Sequence, residues 1–170
     1  MERTIVSTRR INVERVDVTS RISLQDVLSK FDAAVGHPDI QEFWKQVGEA
    51  RTRSEMETVV QSALGPSGFM EFARFDHGGV VHKGKRGEHP QVFRLVIGNP
   101  LIMREMVKHV PDAGSYAPVT ILIDERPDGV HYPMTEWRPC SRLTKMRKPL
   151  RSPRISMQRL RRCLPQRRPN

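Results

Sequence analysis

Gln91-Val92-Phe93-Arg94-Leu95-Val96-Ile97-Gly98-Asn99-Pro100-Leu101-Ile102-Met103-Arg104-Glu105-Met106-Val107 reads as a strand that turns directly into a helix, and it organises the chain on either side of it. Apolar and β-branched residues from Gln91 to Ile97 suit an extended segment, which Gly98 ends. Asn99 can accept from the orphan amides of a first helical turn, and Pro100 stands where no N–H is missed. Ile102, Met106 and Val107 then form a buried stripe, and Lys108 and His109 complement the negative end of the helix dipole. Downstream, Pro111 to Pro118 predicts a turn region. Val119-Thr120-Ile121-Leu122-Ile123 predicts a strand, and Arg126-Pro127-Asp128-Gly129 turns into a last strand from Val130. Upstream, Phe69 to Phe75 is the preceding strand, joined to Gln91 by a long polar connection running from His77-Gly78-Gly79 to Gly87-Glu88-His89-Pro90.

Helical spacing dominates the chain before that strand. Leu24, Val27, Leu28, Phe31 and Val35 follow a Ser23 cap, with Asp26 three residues on. Pro38, at a first helical position, opens a second helix that presents Ile40, Phe43, Trp44 and Val47. Thr52 with Glu55 forms a capping box for a third helix with Met56, Val59, Val60, Ala63 and Leu64, stopped by Gly65-Pro66-Ser67-Gly68. Ile11, Val13, Val16 and Val18 supply an opening β-branched strand.

Charge divides the chain more sharply than hydrophobicity does. All 19 Asp and Glu lie at or before Glu136, whereas residues 137–170 hold 12 of the 29 Lys+Arg and no acid, so the net charge of +10 belongs to that tail. The organisation this predicts is an N-terminal arm over 1–10, a single α+β domain over 11–136 and a basic Pro/Arg-rich tail over 137–170. Pro139, Pro149, Pro153, Pro165 and Pro169 prevent one long helix in the tail, and its composition is that of a disordered segment. Cys140 and Cys163 both fall there, leaving the domain without a thiol for nucleophilic catalysis, metal ligation or a disulfide. No apolar core precedes the N-terminal arginines, and no run approaches the ~18 apolar residues of a membrane span. A cytoplasmic protein without membrane insertion is expected.

The candidate sites are each weighed against a plainer reading. Asn99 at a helix start, Tyr116 and Pro118 before a strand, and Glu125 at that strand's end could converge on one side of the sheet as a ligand pocket, although each also has a structural task. His77, His82 and His89 share a loop with Asp76 and Glu88, an imidazole and carboxylate set suited to a transition metal. Their spacing matches no standard ligand pattern and Lys83, Lys85 and Arg86 oppose a cation, so an exposed polar loop is favoured and no metal is expected. Gly78-Gly79, Gly84 and Gly87 beside those cations lack the strand, glycine loop and helix order of a phosphate cradle. Arg138, Arg142, Lys145, Arg147, Lys148, Arg151 and Arg154 could neutralise nucleic-acid phosphates, with Trp137 the only aromatic available for stacking. No catalytic triad or carboxylate pair is readable, and no cofactor motif is found; an enzyme is not expected.

Gly98-Asn99-Pro100, the Met-rich helix after it, and Tyr116-Ala117-Pro118-Val119-Thr120-Ile121-Leu122-Ile123-Asp124-Glu125 together resemble the family called domain of unknown function 302, over about residues 10–132. The resemblance implies a two-layer α+β sandwich with a mostly antiparallel sheet of about five strands, helices packed on one face, and a homodimer. It brings no agreed catalytic or ligand residues. Past Gly129-Val130 the chain departs from the family's usual ending, an acidic amphipathic helix. A reading frame displaced by one base from His131 onward permits Leu-Ser-Tyr-Asp and then an acidic, helix-patterned ending of the family's kind, which predicts a frameshifted C-terminus. The function expected is that of a cytosolic globular domain, non-catalytic or small-ligand-binding, with nucleic-acid binding by the tail as the alternative.

Overall fold

The computed structural model describes residues 4–8 and 13–137. The cations assigned above to nucleic-acid contact, Arg138 to Arg154, lie outside them, as does the rest of the tail beyond Trp137. In chain order the elements are β1 (Val13–Val16), β2 (Thr19–Ser20), α1 (Leu24–Ala34), α2 (Ile40–Glu49), α3 (Arg53–Ala63), β3 (Met70–Asp76), α4 (His77–Val81), β4 (Val92–Gly98), α5 (Pro100–Val107), a 3-10 turn (Pro111–Tyr116), β5 (Val119–Arg126), β6 (Gly129–His131) and β7 (Met134–Trp137). The main sheet runs in the order β1-β7-β5-β4-β3, with β6 beside β5 and β2 beside β6, and its strand pairs are antiparallel. This is the α+β architecture with a five-strand antiparallel sheet that the sequence predicts.

Helix starts follow the side-chain oxygens. Ser23 accepts from Asp26 N–H at 3.1 Å, and Thr52 accepts from Glu55 N–H at 3.1 Å while Glu55 reaches back to Thr52 N–H. Asn99 accepts from Leu101 N–H at 2.8 Å and Ile102 N–H at 3.4 Å, with Pro100 at the first helical position. The second helix differs from its prediction. It starts at Ile40 behind Asp39, whose carboxylate accepts from Glu42 N–H at 2.9 Å, so Pro38 precedes the cap instead of opening the helix. An Asp one residue before the helix satisfies an orphan amide, which proline at its first position cannot do.

The core is built on alternation along the central strands. Leu95 and Ile97 on β4 and Ile121 and Ile123 on β5 are fully buried, and α1 packs Leu24, Val27, Leu28, Phe31 and Ala34 in the same cluster. Tyr132, fully buried just after β6, meets Phe31 edge-on with ring centres 6.0 Å apart. A second cluster joins Phe43 of α2, Val60 of α3 and Met70 of β3, with Phe72 and Leu101 packed against it. Two glycines let the chain cross itself between these clusters. A Cβ at Gly36 would stand 2.0 Å from the Ala63 carbonyl oxygen and one at Gly65 2.3 Å from the Val35 carbonyl carbon. Both amides donate to the Phe69 carbonyl at 2.9 Å, which ties the start of β3 to the crossing.

Candidate functional site

The polar connection after β3 is more ordered than its sequence predicts, because β3 ends in a cap. The Asp76 carboxylate accepts from Gly79 N–H at 2.7 Å and starts α4. Both glycines sit tightly in the next turn: a Cβ at Gly79 would lie 2.6 Å from Asp76 Oδ2 and displace the cap, and one at Gly78 would lie 3.0 Å from the Val92 amide nitrogen. Gly78-Gly79 thus press α4 onto the first residues of β4. They do not form a phosphate cradle, since Asp76 already takes the Gly79 amide.

His82 caps the end of α4, its backbone N–H donating to the Gly78 carbonyl at 2.9 Å. The chain then turns through Gly84 and Gly87, at φ of 79° and 96°, and returns His89 to the His82 ring. The two imidazole centres are 4.6 Å apart with their planes 17° from parallel. A cleft of about 280 Å³ opens beside them, lined by Asp76, Gly78, Gly79, His82, His89 and Phe93 among others. A wider cleft of about 400 Å³ adjoins it across His89 and Pro90, rimmed by Glu88, Glu125, Arg126 and Pro127.

The imidazoles carry the unusual feature of this region. His82 Nδ1 and His89 Nε2 are buried and have no hydrogen-bond partner among the described residues. Desolvation holds His82 below the usual imidazole range, helped by the neighbouring His89 and Lys85 and opposed by a hydrogen bond with the Pro90 backbone.

Of the three histidines predicted from the loop, the structure brings His82 and His89 together and sends His77 elsewhere, stacked 6.1 Å from the Phe75 ring. Glu125 reaches the rim of the wider cleft, where its carboxylate accepts from Gln91 N–H at 2.9 Å while its own amide donates to the Gln91 carbonyl at 3.1 Å. Asn99 and Pro118 lie near the opposite end of β5. Asn99 donates through Nδ2 to the Gly68 carbonyl at 2.9 Å, and a Cβ at Gly98 would come within 3.0 Å of Pro118 Cβ. Seven residue steps of strand, about 3.4 Å each, separate Pro118 from Glu125 by roughly 20 Å or more. The grouping of Asn99, Tyr116 and Pro118 with Glu125 therefore does not assemble, and Tyr116 stays with the first pair at the end of the 3-10 turn.

Sequence reading missed two features of this surface. Arg126 on the cleft rim is paired to Asp124, with Nε 2.5 Å from Oδ2, and that hydrogen bond holds the guanidinium firmly charged. Asp32 of α1, His37 and Glu71 of β3 gather side-chain ligand atoms within 4.8 Å of one another. Arg74 fills that gathering, hydrogen-bonded to Asp32 and at 2.7 Å to Glu71, and these partners raise its affinity for its proton further. Asp124 and Arg126 stand two residues apart on β5, whereas Asp32, His37 and Glu71 are brought together from α1, the segment after it and β3, which no local signal announces.

Residues 46–135 match the family described as Domain of unknown function DUF302. Among solved structures, the chain is similar to the crystal structure of uncharacterized conserved protein DUF302 from Bacillus stearothermophilus, at 15% identity and a TM-score of 0.46, over 89% of this chain and 94% of that one. No curated protein matches. Among the described residues, no helix is long and apolar enough to cross a membrane.

Proposed function

The chain belongs to the DUF302 family, and from that premise we propose that it is a cytoplasmic, non-catalytic domain that binds a small ligand in the cleft between α4 and the start of β4. The observation that carries this reading is the pair of buried, unpartnered imidazole nitrogens at His82 and His89 beside one cleft. A ligand that reaches both nitrogens supplies hydrogen bonds that the folded chain leaves unmade. Among the described residues, nothing in the cleft pairs a nucleophile with a base: its side chains are Asp76, already capping α4, the two imidazoles, Pro90, Gln91 and Phe93.

Amide chemical shifts recorded during a small-molecule screen test the proposal. Saturable shifts confined to Gly78, Gly79, His82, His89 and Gln91, with no turnover of the bound compound, are the expected result. Binding that leaves those amides unmoved, or that consumes the ligand, overturns it. The family resemblance supports a homodimer, which sedimentation equilibrium checks.

A second reading rests on the 12 Lys+Arg of residues 137–170, which no acid offsets. It assigns nucleic-acid binding to the tail, independent of base sequence and weakening steeply with salt. Deleting residues 137–170 abolishes that binding if the reading holds, and unchanged binding by the shortened chain refutes it.

A further inference from the structure

We propose that the surface around α4 is a docking site for an anionic lipid bilayer, which it meets with an exposed apolar strip flanked by unpaired cations. Among the described residues, three of the six exposed large apolar side chains fall between Phe75 and Val81: Phe75 at 45% exposure, Val80 at 76% and Val81 at 60%. His77 joins them, because its ring stacks on Phe75 and Val81 stands four residues on along α4, the spacing that puts two side chains on one side of a helix. Gly78 is the buried residue of α4, pressed on the Val92 amide, and the same turn leaves Val80 and Val81 in water. Exposed apolar groups gathered in this way and rimmed by polar residues mark an interaction surface.

Cations flank the strip. Arg94, opposite Phe75 on β4, holds its guanidinium 5.9 Å from that ring's centre, and Lys83, Lys85 and Arg86 follow α4 directly. None of the four forms an ion pair among the described residues, whereas Arg53, Arg74, Arg104, Lys108 and Arg126 each hold a carboxylate. The acids at this end are engaged or turned aside: Asp76 on the Gly79 amide, Glu125 on the Gln91 amide, Asp124 on Arg126, and Glu88 at the rim of the wider cleft. The charge beside the strip is left for an anion from outside.

Apolar and cationic groups together select the partner. Valine side chains gain by leaving water for the boundary between headgroups and acyl chains, while Lys and Arg stay at the level of the phosphates. Each cation near an anionic leaflet strengthens partition about fivefold at low salt. A nucleic acid would use the same cations and the Phe75 ring but would leave Val80 and Val81 unrewarded. A second copy meeting the first through this patch would set cations against cations. The contact is peripheral: among the described residues, no helix is long and apolar enough to cross a membrane.

The test uses the full isotope-labelled chain with phosphatidylcholine bicelles that carry a spin-labelled headgroup, prepared with or without phosphatidylserine. The 12 Lys+Arg of residues 137–170 can bind anionic lipid by charge alone, so the readout is taken amide by amide within the domain. With phosphatidylserine present, the strongest paramagnetic broadening in the domain is expected at Val80, Val81, Lys85 and Arg86, and it is lost in phosphatidylcholine alone. Val80→Asp with Val81→Asp, which alters only exposed side chains, weakens the affinity read from that broadening about tenfold or more, and Lys85→Glu with Arg86→Glu does the same at low salt. Circular dichroism confirms that each variant folds. No broadening in the domain, broadening centred on another surface, or broadening unchanged in the valine variant overturns the docking site. Shifts of the same amides by single-stranded oligothymidylate, without a response to the anionic bicelles, replace the lipid with nucleic acid and overturn it equally.

Discussion

Tyr132→Ala removes the largest fully buried side chain among the described residues, from the stretch where the sequence departs from the family's usual ending. Tyr132 is 0% exposed, its ring meets Phe31 edge-on at 88°, and its backbone amide donates to the Val18 carbonyl at 2.9 Å, so the change deletes packing without breaking that backbone tie. Burial of about 150–250 Å² of aromatic surface, at roughly 25 cal/mol per Å², corresponds to about 4–6 kcal/mol. Measured aromatic-to-Ala substitutions in cores cost about 3–5 kcal/mol, and the lower range is adopted because the surroundings relax. Against a total of about 5–15 kcal/mol for a domain, such a loss brings the protein close to unfolding at room temperature. Urea denaturation followed by circular dichroism gives the number, with Tyr132→Phe as the companion that keeps the ring and should lose less than about 1.5 kcal/mol. A Tyr132→Ala loss below about 1 kcal/mol would show that the chain after β6 does not seat in the core, and the packing described here would be wrong at that end of the sheet.

Three further outcomes are expected. Thr52→Ala opens the capping box of α3 and should cost about 1 kcal/mol in the same denaturation assay, with Thr52→Ser recovering most of it. Glu55, Glu57, Glu105 and Asp128 are all held below their ordinary carboxylate values: by the Arg51 amide, by Arg53 and Arg104, by Lys108 and by His131 respectively. The unfolded chain binds those protons more readily, so the stabilisation is complete above about pH 4.5 and is lost as pH falls through the folded values. The urea midpoint should drop between pH 5 and pH 3, more at low salt than at high, and a midpoint constant over that range excludes the assignment. Sequencing the gene across codons 125–170 should find a one-base insertion or deletion near codon 131; an intact frame, with a tail peptide seen by mass spectrometry, restores the tail as a real feature and strengthens nucleic-acid binding.

What was legible in the sequence was whatever a few consecutive residues decide. Ser23, Thr52 with Glu55, and Asn99-Pro100 each place a helix start because the capping oxygen and the orphan amide lie within three residues of each other. Pro38 misled where Asp39 competed for the same role. The short helix α4 was illegible for a related reason: His77-Gly78-Gly79-Val80-Val81 has poor intrinsic helix propensity, and the turn exists through the Asp76 cap and its seat on β4. Gly84 and Gly87 were readable as turn residues, but their positive φ and the resulting return of His89 to His82 depend on where β4 begins. The separation of Glu125 from Asn99 and Pro118 follows from strand length alone, which fold class does not specify.

Two clusters of polar side chains sit at opposite ends of β3, and their fates differ for a physical reason. Near its start, Glu71 joins Asp32 and His37, a set whose negative charge would attract a cation, but Arg74 is close enough on the same strand to insert its guanidinium. The site is neutralised from within, and an incoming ion would have to displace a charge-assisted hydrogen-bond network. Near its end, Asp76 is spent on a helix cap, and His82 Nδ1 and His89 Nε2 are left without a hydrogen-bond partner among the described residues. The acidic set is closed by the protein's own arginine, whereas the stacked imidazole pair keeps two buried nitrogens without a partner among the described residues.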